Sequence, residues 1–147
     1  MRFVIKNFGL KTEGNFKGLR GRIHFDPATP AASDFNVTVE AVTINTGNKM
    51  RDRDLKEAKY FDAGRHPFLK FSGSKVKAIG TGRYTVAGEL RIKDVSRPIQ
   101  FDFTAKPYEG GYLFEGAFAL NRLDYKVGSS SMSLQDNVQV FLSVVAK

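Results

Sequence analysis

Five separate stretches of this chain alternate strictly between apolar and polar side chains, and that alternation limits the fold more than any other feature. Phe35, Val37, Val39 and Ala41 share one parity, with Asn36, Thr38 and Glu40 between them. The same rule holds for Tyr84 to Lys93, Ile99 to Lys106, Tyr112 to Leu120 and Val138 to Val144. A period of two puts successive side chains on opposite faces of a strand. One face apolar and one polar describes a half-buried antiparallel strand. Phe3 to Phe8, the run Leu19, Gly21, Ile23, Phe25, and a less regular run from Leu69 to Ala78 raise the expected number to about eight.

Turn residues separate these runs. Asp26-Pro27 with Pro30 closes the second. Gly80-Thr81-Gly82 and Glu109-Gly110-Gly111 read as hairpin turns. Asp94 to Pro98 reads as a connection, with Pro98 starting the next strand where no ladder donor is needed. Short loops between consecutive strands imply an antiparallel meander. The expected fold class is all-β: an eight-stranded antiparallel barrel with one short helical segment near residues 49–62.

That helical segment is the only interruption. Between Asn45 and Phe71 the alternation fails, and Met50, Asp54 and Ala58 fall four apart. Asn48 or Asp52 is placed to cap a helix start, and Gly64 and Pro67 end any helix. Two to three turns are marginal alone, so Leu55, Ala58 and Phe61 are expected to dock on the sheet. Such a segment can close one end of a barrel.

At 147 residues the chain is expected to form a single domain over residues 1–147. No apolar run reaches the length of a membrane helix. The start, MRFVIKNFGLKTEG, has no apolar signal core, because Lys6 and Asn7 interrupt it. Two readings follow: a cytosolic protein, or a mature form whose export signal was replaced by Met1. The lack of cysteine excludes disulfides and thiolate metal sites.

The net charge of +8 raises nucleic acid or an anionic membrane as partners. The charges spread along the whole chain and occupy the polar parity of the strands, which favours a plain soluble surface. No nucleic-acid partner is expected, since no basic strand carries paired aromatics. Membrane-surface contact and a homodimer stay open.

Catalytic motifs are missing. No GxSxG, P-loop or GxGxxG string occurs. His24 and His66 lack the spacing of a zinc site; His24 falls on the polar parity, facing solvent. Asp52 and Asp54 point apart on a helix, and pairing with its dipole explains them better than catalysis. The expectation is no enzyme, no catalytic residue, no metal and no cofactor.

Thirteen phenylalanines without tryptophan fit an ordinary sheet core or the wall of an apolar cavity. Gly73, Gly88 and Gly116 interrupt apolar rows, leaving space for strand curvature or for a ligand. If the apolar face points inward, the expected lining is Val37, Val39, Phe71, Val86, Leu90, Phe101, Phe103, Phe114, Phe118 and Val140. Arg51 and Arg122 are candidates for polar groups near a barrel end; a structural salt bridge to an aspartate accounts for each equally well.

The order of local strings resembles the YceI-like family of bacterial polyisoprenoid-binding proteins. The strings are Phe3 to Pro27, Val39 to Gly73, Val86 to Phe101, Leu120 to Gly128 and the final LQDNVQVFLSVVAK. The most specific part combines Arg51, Asp52, Leu55, Tyr60 and Phe61 with Pro67 and Phe71; a later string carries Arg122, Asp124, Tyr125 and Gly128. The chain departs from the usual pattern at Asp54 and at Asp124-Tyr125-Lys126. The resemblance implies a lipocalin-type barrel that holds an isoprenoid or similar lipid in an apolar tunnel, in transport or storage. It also implies a periplasmic or secreted location, with the signal peptide absent from this chain. The alternative is a filled-core β module that binds a partner protein or a membrane surface.

Overall fold

The computed structural model describes residues 1–146. Eight strands follow one another: β1 (Arg2–Asn7), β2 (Leu10–His24), β3 (Asp34–Asn45), β4 (Phe68–Gly80), β5 (Arg83–Ile92), β6 (Val95–Tyr108), β7 (Gly111–Asn121) and β8 (Asn137–Ala146). Each pairs antiparallel with the next, and β1 pairs with β8 to close the barrel. That seam is short, running from Arg2–Phe141 to Val4–Gln139.

Local chemistry explains most of the turns. Phe8-Gly9 and Glu109-Gly110 both have positive φ at two successive residues, the twist that a two-residue hairpin needs. Asp26 accepts from Ala28 N (3.0 Å) and Thr29 N (3.1 Å), which folds the β2–β3 connection back on itself. Buried Ser33 fixes it by accepting from Asp26 N at 2.9 Å.

The structure corrects several expectations. β2 begins at Leu10, well before Leu19, because Lys11 to Gly14 form a strand without apolar alternation. Leu19 points outward, since Gly18 takes a left-handed φ of 74° and shifts the β2–β3 register. In β3, Thr43 Oγ1 accepts from Lys17 N and donates to Glu40 O; on either side of it Val42 is exposed and Ile44 buried. Pro98 lies inside β6 opposite Glu89; β6 pairs with β7 only from Phe103 onward, so no ladder bond is lost there. At Gly73 and Gly88 the room is for backbone and ring, not ligand. A side chain at Gly88 would strike the Ser72 carbonyl, and the Phe71 ring covers Gly73.

The helix is shorter than 49–62. It forms α1 (Lys49–Leu55), capped by Asn48, whose side chain accepts from Arg51 N. Past Leu55 the chain turns back: Phe61 N donates to Leu55 O and Ala63 N to Lys56 O, and Asp62 takes a φ of 49°. This gives up helical bonds and sets the Phe61 ring edge-on against Phe16 at 5.2 Å. Leu55 and Phe61 dock on the barrel, whereas Ala58 is exposed.

The interior has two parts. One end is a solid cluster of Val76, Tyr84, Val86, Phe103, Ala105 and Phe114. Phe25 plugs it, its ring edge-on to Tyr84, Phe103, Tyr112 and Phe114 at 5.0 to 6.3 Å. The other end, under α1, holds Phe3, Phe16, Val39, Leu69, Leu90, Ile92 and Val127.

Candidate functional site

A cavity of about 670 Å³ opens at the α1 end of the barrel. Its walls are Phe3, Ile5 and Phe16 from β1 and β2, Leu69, Ile92, Leu120, Val138 and Val140 from later strands, and Leu55 and Phe61 from the covering segment. Polar groups crowd its mouth: Asn7, Thr12, Thr46, Asn48, Arg51, Asp54, Lys59 and the serines 129, 130, 131 and 133. The space is therefore greasy below and wet above, the arrangement a tail-and-headgroup molecule requires.

Aromatic rings pack beside the cavity without lining it. Phe118 stacks on Phe101 at 4.9 Å, and Phe101 meets Phe71 at 5.3 Å. Phe71 packs against both halves of the core. Below these rings lies the solid end, so the lumen is a blind cavity and not a through tunnel.

Of the expected lining, Val140, Arg51 and Arg122 face the cavity. Val37, Val39, Phe71, Val86, Leu90, Phe101, Phe103, Phe114 and Phe118 do not line it. Val39 and Leu90 pack in the core beside the cavity; Val86, Phe103 and Phe114 fill the far end. Parity correctly separates inside from outside in these strands. It carries no information about height along the barrel axis, and height decides which inward residues meet the void.

Both arginines are held by hydrogen bonds within the protein. Arg51 donates from Nε to Thr46 Oγ1 (2.8 Å) and from Nη2 to the Thr46 carbonyl (2.7 Å). Asp52 accepts from the same threonine's N–H (2.9 Å) and hydroxyl (2.5 Å), which ties the α1 entry to the end of β3. Arg122 is 3% exposed. It donates to the carbonyls of Val127 (2.9 Å), Gln135 (3.1 Å) and Leu134 (3.4 Å) and pairs with Asp136 at 3.5 Å. The expected salt bridge to an aspartate is present for Arg122; Arg51 is held by Thr46 instead.

Further bonds join the rim segments. Gly128 N donates to Lys59 O at 2.8 Å, Lys93 Nζ reaches Ala58 O and Lys126 O, and Arg97 Nε reaches Asp124 O. Tyr125 is buried below them; burial pushes its hydroxyl above the usual tyrosine range, and the charges of Arg97 and Asp124 act in opposite directions. His24 is exposed, and His66 Nε2 lies 3.9 Å from Asp62. Among the described residues no group of three or more His, Cys, Asp or Glu side chains gathers to hold a metal ion.

The YceI-like domain model matches residues 1–146. The chain belongs to the YceI-like family. A UPF0312 protein of Ectopseudomonas mendocina is 28% identical over 151 residues, spanning 98% of this chain and 79% of its own length. The crystal structure of Burkholderia cenocepacia BcnA superposes with a TM-score of 0.94 at 27% identity, covering 99% of this chain and 94% of its own. A domain from Saccharophagus degradans, described as polyisoprenoid-binding and implicated in plant cell wall breakdown, gives a TM-score of 0.73 at 12% identity, with 97% and 89% covered. That last likeness is one of fold. The residues that seal this YceI-like barrel include members of the strings singled out in the sequence: Arg51, Asp52, Leu55, Phe61, Arg122 and Gly128.

Proposed function

We propose that this protein binds a lipid-like amphiphile without chemical change, its tail in the blind cavity and its headgroup at the serine- and asparagine-rich mouth. The observation that supports this best is the cavity itself, about 670 Å³ and apolar below a polar rim. At about 30 Å³ per atom it takes on the order of 20 non-hydrogen atoms. Burying that many methylenes gains on the order of 16 kcal/mol, at about 0.8 kcal/mol each. Losing free motion and ordering the chain costs about 4–15 kcal/mol. The margin is widest for a tail that fills the space, so an isoprenoid, an isoprenoid quinone or a fatty chain suits it. The polyisoprenoid-binding description of the Saccharophagus degradans domain points the same way. Carriage or storage outside the cytoplasm, in the periplasm or a secreted form, belongs to this proposal.

Native mass spectrometry followed by organic extraction tests it. Purified protein is expected to carry an apolar molecule. Leu120→Trp with Val138→Trp, which adds bulk to the cavity from paired positions on β7 and β8, is expected to lower that content while the fold survives. Equal lipid content in a folded double variant would sink the assignment. The second reading, a filled-core module for a partner protein or membrane surface, draws on the solid aromatic end; it requires an empty extract.

A further inference from the structure

The most exposed large apolar side chains among the described residues gather around the cavity mouth. Phe8 is 80% exposed and Leu10 73%, both at the β1–β2 turn; Met50 on α1 is 74% exposed, and Met132 between β7 and β8 is fully so. These belong to three separate segments that the barrel brings to one end. Phe8 N donates to Ser133 O at 2.8 Å, and Asn7 bridges to Leu134, so the turn and the Met132 loop touch. Met50, Asn7, Ser131 and Ser133 themselves line the mouth.

Phe8 is unexplained by turn chemistry. Its φ of 53° is a left-handed conformation that asparagine tolerates and a bulky residue resists. Hairpins of this shape ordinarily place Asn before Gly. Packing does not account for the ring either, because the ring is in solvent. A strained, exposed aromatic implies a role beyond the fold. Cations flank the bare side chains: Lys6 and Lys11 beside Phe8 and Leu10, and Lys49 beside Met50, all exposed.

We infer that this rim docks on an anionic lipid bilayer, with Phe8, Leu10, Met50 and Met132 inserted among the headgroups and the lysines on the anionic surface. Scattered apolar tips with basic residues between them match an interfacial membrane contact, whose strength adds apolar burial to attraction by anionic lipid. The occupant that covers the mouth is then the phase that holds amphiphiles. The purpose of docking rests on the amphiphile-binding reading, but its test does not.

The test is co-sedimentation of the full chain with vesicles of phosphatidylcholine, alone or mixed with phosphatidylglycerol. The wild type is expected to sediment with the mixed vesicles and to be released by salt. The combination Phe8→Asn, Leu10→Thr, Met50→Gln and Met132→Ser is expected to need at least about tenfold more lipid for the same binding. Phe8→Asn alone suits the turn, so it keeps the test valid if the combination unfolds; a several-fold loss is expected from it. Vesicle binding unchanged in folded variants, or no wild-type binding to mixed vesicles, would overturn the inference. So would a rim that merely joins two copies of the chain, seen as self-association lost in the variants without vesicle binding. An empty organic extract beside intact vesicle binding would remove the carrier reading and leave the docking in place.

Discussion

Replacing Arg122 by methionine removes the guanidinium and keeps most of the apolar stem. The guanidinium satisfies the carbonyls of Val127, Gln135 and Leu134 from a site 3% exposed, and it faces Asp136. A hydrogen bond to a charged group contributes about 1.5–3 kcal/mol, and such bonds in one network do not add fully. Breaking a buried charged cluster from one side costs roughly 3–5 kcal/mol, which is the expected loss here. For a chain of this size each kcal/mol moves the melting temperature by about 2–4 °C, so Tm should fall by roughly 6–20 °C. Urea unfolding should show a lower midpoint at an unchanged slope. Arg122→Lys should recover less than half of the loss, since one ammonium cannot serve carbonyls spread over Val127 to Gln135. A methionine variant within about 1 kcal/mol of wild type would refute the view that this arginine clamps the segment between β7 and β8 over the cavity.

Gly128→Ala should cost about 1–2 kcal/mol from its φ of +72° alone. The new methyl would also press on Arg122 Nη1 (2.8 Å) and on the Tyr60 ring (2.9 Å), so in urea its cost should shrink when combined with Arg122→Met. Tyr125 has a raised folded-state pKa through burial. Its contribution is present below the unfolded value near 10 and fades as pH rises through the folded value, so wild type should lose stability more steeply than Tyr125→Phe above pH 10 in denaturant titrations. Phe118→Ala takes a stacked ring out of the aromatic layer next to the cavity at a cost of about 3–5 kcal/mol. It should lengthen the tail the protein accepts, read by competition among a series of fatty acids; no shift in preferred length would mean that these rings do not set the depth.

The strands were legible because alternation is local. Val86, Leu90, Phe103 and Val140 all point inward as their parity requires. The failures have local causes too. Leu19 turned outward because one glycine left the extended region, which no pattern of polarity announces. The helix stopped at Leu55 because bringing Phe61 onto Phe16 was worth more than another turn of helix, a trade between distant residues. Phe3 and Ile5 fall in a run legible as a strand, but nothing in the sequence marked them, Phe16 or the serines of the mouth as cavity residues; what they share is a place at one end of the barrel.

The sequence by itself determined that this chain makes antiparallel strands in meander order, and which face of most of them is greasy. Side-chain polarity and turn residues act over a few positions, so they are written in the order of the letters. Only the tertiary structure decided that thirteen phenylalanines would be shared unequally, packed solid around Phe25 at one end and leaving a void under α1 at the other. Strand stagger, four register shifts in the β2–β3 and β4–β5 ladders and the path of the long connections set that division, and each depends on residues far apart in the chain.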